Sequence, residues 1–104
     1  MDVVLIHRPR GLMPPEMMKG TIELVKKLLA KPEELVPGGK PIAAYHARCQ
    51  GLAICIWEVP STDNLVPVFE QMSNLGFDTE IIPADKVEVA IAKWEKAMAE
   101  MAQK

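Results

Sequence analysis

The run Val3-Val4-Leu5-Ile6 is unbroken apolar chain, rich in β-branched residues, and Pro9 and Gly11 end it, which predicts a strand over residues 2–8. Met18, Ile22, Val25 and Leu29 then recur at three- and four-residue spacing, with Lys19, Glu23, Lys26 and Lys27 largely off that stripe. This is the period of an amphipathic helix, ending near Lys31-Pro32. Its entrance is Met13-Pro14-Pro15-Glu16, where proline suits the first turn and an acid meets the positive end of the helix dipole. Residues 33–40, with Pro37-Gly38-Gly39, read as a loop.

Two extended runs, Pro41 to Cys49 and Leu52 to Val59, flank Gln50-Gly51, a fair two-residue hairpin turn. That turn sets His46 opposite Cys55 and Ala44 opposite Trp57. Alternation sorts the side chains into two faces. One carries Ile42, Ala44, His46, Arg48, Ala53, Cys55, Trp57 and Val59, and the other Ala43, Tyr45, Ala47, Cys49, Leu52, Ile54, Ile56 and Glu58. Beyond Pro60, Ser61-Thr62-Asp63 supplies helix caps, and Leu65, Val68, Phe69, Met72 and Leu75 form a stripe closed by Gly76. Pro67 fits this helix only in its first turn or at a mild kink. Phe77 to Ile82 predicts a fourth strand stopped by Pro83. Asp85 and Glu88 resemble a capping box, behind which Val87, Ile91, Trp94, Met98 and Met101 mark a long terminal helix.

The order strand, helix, strand, strand, helix, strand, with one more helix, predicts an α+β, ferredoxin-like βαββαβ sandwich. Residues 1–83 form the core and 84–104 the C-terminal helix of a single domain. The expected antiparallel sheet has strand order 4-1-3-2, with strands 1 and 3 taken as parallel neighbours. Helices on one face leave the other wet, and a wet face normally alternates polar with apolar. Val3 to Ile6 and Leu52 to Trp57 are instead apolar on both sides. Leaving such a face bare is costly at about 1.5–3 kcal/mol per large side chain. A second copy or the terminal helix must cover it; the preferred arrangement is a homodimer with facing sheets, a dimeric α+β barrel.

Composition adds limits. The chain has 104 residues, one domain's worth, and a formal net charge of −2, which argues against a nucleic-acid partner. No apolar run reaches the ~18 residues of a membrane span, and the strand-like start lacks a basic leader, so a cytoplasmic location is expected. Cys49 and Cys55 are too few for a disulfide framework, and no spacing suggests a metal site or other cofactor.

Met13-Pro14-Pro15-Glu16, the segment Trp57-Glu58-Val59-Pro60-Ser61-Thr62-Asp63-Asn64-Leu65, and Gly76-Phe77-Asp78-Thr79-Glu80-Ile81-Ile82-Pro83 together resemble muconolactone isomerase and its small dimeric α+β barrel relatives. The resemblance covers about half of the chain and lies in scaffold segments. It implies the barrel fold and an activity within a group that spans lactone isomerases, polyketide cyclases, metal-free monooxygenases, haem-binding enzymes and plain ligand binders. Muconolactone isomerase itself moves a hydrogen within an unsaturated lactone bearing a carboxylate.

Candidate chemistry gathers on the strands. His7 and Arg8 end the first strand, and His46 and Arg48 lie on the second. With strands 1 and 3 parallel, His7 and Arg8 should approach Trp57 and Glu58. The face of Leu52, Ile54 and Ile56 suits helix packing, so His46, Arg48, Cys55 and Trp57 are expected to point into the barrel chamber. Histidine suits proton transfer and arginine holds a carboxylate through its two-pronged fork. His46 or His7 is thus the candidate acid/base, Arg48 and Arg8 the anion anchors, and Trp57 and Cys55 the wall. Tyr45, expected to pack under a helix with its hydroxyl at the rim, and Glu58 complete the set. The expected activity is cofactor-independent isomerisation or proton transfer on a small carboxylate or lactone. A non-catalytic binding or assembly module on the same fold, or a haem binder using either histidine, are the alternatives.

Overall fold

The computed structural model describes residues 1–103. Four strands, β1 (Asp2–Pro9), β2 (Lys40–Ala47), β3 (Leu52–Glu58) and β4 (Phe77–Ala84), form one sheet in the order β2-β3-β1-β4, with every neighbouring pair antiparallel. The helices are α1 (Pro15–Ala30), a single turn α2 (Pro32–Leu35), α3 (Val66–Asn74) and α4 (Val87–Ala102). A 3-10 turn, Thr62–Leu65, leads into α3. This α+β arrangement is compatible with a ferredoxin-like fold. No helix among the described residues is long and apolar enough to cross a membrane.

The strand order matches the expected one, but β1 and β3 are antiparallel, not parallel. A crossover through α1 makes β2 run with β1, and the hairpin then turns β3 against both. Asp2 therefore faces Glu58 and His7 faces Ala53. Glu58 lies five residues along the sheet from His7, about 17 Å at strand rise.

The hairpin turn also differs. Ala47 pairs with Leu52, so Arg48, Cys49, Gln50 and Gly51 all belong to the turn. The amides of Gln50 and Gly51 both donate to the Ala47 carbonyl, at 3.1 and 3.0 Å, and Gly51 takes φ +63°, a conformation that glycine adopts without penalty. His46 consequently faces Ala53, and Ala44 faces Cys55, two positions from the expected pairing. A β-bulge between Pro41 and Ala43 leaves Ile42 unpaired.

Local signals act as read at several points. Ser61 Oγ accepts from the Asp63 amide at 3.2 Å, Pro67 sits in the first turn of α3, and Gly76 takes φ +92° just past that helix. Asp85 does not cap α4; its carboxylate takes Lys93 Nζ at 2.8 Å. Pro83 does not stop β4, because β4 is an edge strand with one hydrogen-bonding side open.

One face of the sheet carries Val3 and Leu5 of β1, Cys55 and Trp57 of β3, and Phe77 and Ile81 of β4. Leu65, Val68 and Met72 cover it, together with Leu24 and Leu28 of α1 and Val36 from the α2–β2 connection. The helices thus lie on the Cys55/Trp57 face, opposite to the side expected, and Trp57 is a core residue. Trp57 and Phe77, the bulkiest buried side chains of the sheet, both point to this face and are covered by the helices. The other face, with Val4, Ile6, Ile54, Ile56 and Ile82, is flat, β-branched and open. Tyr45 stands on this open face, 67 % exposed, and does not pack under a helix. The terminal helix α4 buries no residue; its stripe of Val87, Ile91, Trp94, Met98 and Met101 is exposed, and the chain extends 60 Å along its longest axis.

Candidate functional site

Small residues create the main cavity. Ala44, Ala53 and Cys55 are short side chains on the helix-covered face of β2 and β3, so α1 cannot close down on them as it does elsewhere. A cleft of about 540 Å³ remains between α1 and this part of the sheet. Its roof is Met18, Thr21, Val25 and Leu29, its floor Ala44, Ala53 and Cys55, and its end wall Phe77 and Met72. Of the expected α1 stripe, Met18, Val25 and Leu29 line the cleft, Ile22 is exposed, and Leu24 and Leu28 reach the core instead. The lining is overwhelmingly apolar, and the volume falls in the range of small-molecule sites.

His46 lies at this cleft. It is exposed, on the same face as Ala44 and Ala53. A smaller, partly open chamber of about 50 Å³ adjoins the cleft, sharing Val25, Leu29, Ala44, Cys55 and Met72 with it. His7 and Trp57 border this chamber because both point to the helix side of the sheet. His7 is 3 % exposed, and its Nδ1 lies 2.8 Å from Thr79 Oγ1 on β4. Burial lowers its pKa from 6.5 to about 4, so the ring is neutral near pH 7. Burial also raises the pKa of the Cys55 thiol, which keeps it protonated.

The structure therefore brings together His46, Cys55, His7 and Trp57, with Tyr45 also bordering the cleft, but beneath α1 and not in a chamber between sheets. The arginines do not join them. Arg8 points to the open face and pairs with Glu80. Arg48 occupies the hairpin turn, exposed, and Glu58 lies exposed at the far end of β3. Arg10 ties the chain together: its guanidinium donates to the carbonyls of Ser73 (2.6 Å) and Phe77 (2.8 Å) and to Asp78 Oδ1 (3.0 Å). A cation on the last carbonyls of α3 complements the negative end of that helix. None of Arg8, Arg48 and Glu58 lines the cleft.

Thr79 and Thr21 were not among the residues that strand and helix patterns single out. Thr79 could have been found only from the β1–β4 register, which sets it opposite His7. Thr21, one residue before Ile22, donates to the Met17 carbonyl at 2.8 Å while facing the cleft. Among the described residues, no three of His, Cys, Asp and Glu converge as a metal site requires. No protein family, curated protein or solved structure matches the chain.

Proposed function

We propose that this protein binds a small, largely apolar molecule in the cleft beneath α1 and moves a proton on it without a cofactor, in the manner of a lactone isomerase. The observation that carries this reading is the cleft itself: a ligand-sized apolar cavity with one histidine at its opening and a second on the wall of the chamber behind it. His46 is the group that exchanges a proton with the ligand and with solvent, because it alone of the two histidines is exposed. The lactone fits this lining better than a free carboxylate does, since neither arginine proposed as an anchor reaches it.

We further propose that two copies pair through the open sheet face. Val4, Ile6, Ile54 and Ile56 support this: they present a flat apolar surface that a solvated antiparallel sheet would not carry. The exposed stripe of α4 offers a second surface to the same partner.

The test is deuterium exchange. An unsaturated γ-lactone incubated with the protein in D2O gains deuterium next to its carbonyl, and the rate falls at least about tenfold in His46→Ala, a typical share for one general acid–base group. Exchange at the rate of buffer alone, with the lactone shown to bind, overturns catalysis and leaves a ligand-binding module. That second reading is favoured by the sparse polar lining of the cleft.

A further inference from the structure

The small chamber beside the cleft is apolar except for the imidazole of His7 and the indole N–H of Trp57, and His7 alone of the two can also accept. Of its neighbours there, Val25, Leu28, Leu29, Cys55 and Met72 offer no strong hydrogen bond, and Trp57 offers only the N–H of its indole. Nδ1 is already engaged by Thr79, its direct partner across β1 and β4. No wholly buried side-chain nitrogen or oxygen among the described residues lacks a partner. Nε2, which makes none of the hydrogen bonds found within the described chain, is therefore the atom left to meet whatever enters the chamber.

We infer that the His7–Thr79 pair is the polar anchor of the cleft and selects a neutral ligand carrying one hydrogen-bonding oxygen, a carbonyl or a phenol, on an apolar body. This rests on the reading of the cleft as a ligand site given above. The threonine hydroxyl both donates and accepts, so it supports either imidazole tautomer. With Thr79 donating to Nδ1, Nε2–H donates to a carbonyl; with Thr79 accepting, bare Nε2 accepts from a phenol. A carboxylate meets a different situation. The imidazole beside it is uncharged, Arg8 is committed to Glu80 and Arg10 to the end of α3, and no cation lines either cavity. An anion would lose its hydration with only neutral donors, and no cation, to replace it. Thr79 is thus a positioning residue, acting through His7.

Three probes of one shape separate the possibilities: naphthalene, 2-naphthol and 2-naphthoate, titrated at neutral pH and followed by amide and imidazole nitrogen NMR. The wild-type chain binds 2-naphthol about three- to tenfold more tightly than naphthalene, the range of one net hydrogen bond. It binds 2-naphthoate more weakly than naphthalene. The Nε2 resonance of His7 moves with 2-naphthol and not with naphthalene. Thr79→Val, nearly isosteric and suited to a strand, brings the naphthol-to-naphthalene ratio close to one while naphthalene affinity holds; Thr79→Ser retains the ratio. His7→Phe repeats the effect of Thr79→Val. Equal binding of naphthalene and 2-naphthol by the wild type, a preference for 2-naphthoate, or an unchanged ratio in Thr79→Val overturns the inference and leaves the cleft as a ligand site. Binding of none of the three removes the cleft reading as well.

Discussion

Arg8 and Glu80 form an ion pair across β1 and β4, although they are not register partners: Arg8 lies directly opposite Asp78, and Glu80 opposite Ile6. The pair is diagonal because Asp78 is taken by Arg10 from the other side. Both side chains of the diagonal pair are about half exposed, so solvent screens their attraction. A double-mutant cycle with Arg8→Ala and Glu80→Ala should give a coupling energy below about 1 kcal/mol, shrinking as salt is added. Chemical denaturation of the four variants measures it. A larger, salt-insensitive value would mean that a second chain shields the pair.

The proposed open-face pairing rests association on the isoleucines of β3. At micromolar concentration, sedimentation should report twice the 11.5 kDa chain mass. Ile54→Lys or Ile56→Lys sets a charge in the middle of the apolar surface and should return the chain to its single mass without unfolding it. A wild-type chain that stays single at these concentrations removes the proposed pairing.

His7 couples folding to pH. Its folded-state pKa is depressed to about 4, below the 6.5 of an unperturbed imidazole. Between these values the unfolded chain takes up a proton that the folded chain refuses. Stability from this group is therefore complete above pH 6.5 and declines as pH falls, by up to about 3 kcal/mol near pH 4. Ring-proton NMR should show His7 titrating near pH 4. Denaturation curves of wild type and His7→Phe should differ in their pH slope only between these limits.

The two cysteines should react at very different rates. Cys49 is exposed in the hairpin turn, whereas Cys55 is half-buried at the floor of the cleft with its thiol pKa raised. Iodoacetamide labelling followed by peptide mass spectrometry should modify Cys49 first by a wide margin. Any molecule that occupies the cleft should slow Cys55 further and leave Cys49 unaffected.

Core substitutions should rank by how little room surrounds them. Leu5 is fully buried between α3 and the sheet, and Leu5→Ala should cost about 2–5 kcal/mol. Gly39 fails for the opposite reason: a Cβ there would lie 2.4 Å from Val36 Cγ1 and 3.2 Å from the Val36 carbonyl. The β-branched valine cannot turn away, so Gly39→Ala should cost about 1–3 kcal/mol through overpacking. Thermal melts of both variants check the order.

Much of the architecture is legible in the residues. Ser61, Pro67 and Gly76 punctuate the second half of the chain through local backbone chemistry, which needs no tertiary information. The side of the sheet that the helices cover is not legible, because Ile54 and Ile56 are as apolar as Cys55 and Trp57 and period-two alternation carries no sign. That ambiguity set His46, Cys55 and Trp57 in a chamber between facing sheets, whereas their face lies beneath α1. His7 and Cys55 could be chosen by residue type and strand position, whereas Thr79 enters only through pairing across 72 residues of chain. Arg8 was misplaced by taking β1 and β3 as parallel, and Arg48 by a turn two residues longer than the Gln50-Gly51 reading allowed.

The irregularity at Ile42 has a chemical outcome. Pro41 faces Trp57 and Ala43 faces Ile56, so one residue is spent without advancing the ladder. Were the strand regular from Pro41 onward, position 45 instead of 46 would oppose Ala53, and a phenol would take the imidazole's place across from it on the helix-covered face. The one extra residue thus decides which functional group stands there, and deleting Ile42 with Lys40 and Pro41 held in place would close the bulge while keeping His46 opposite Ala53.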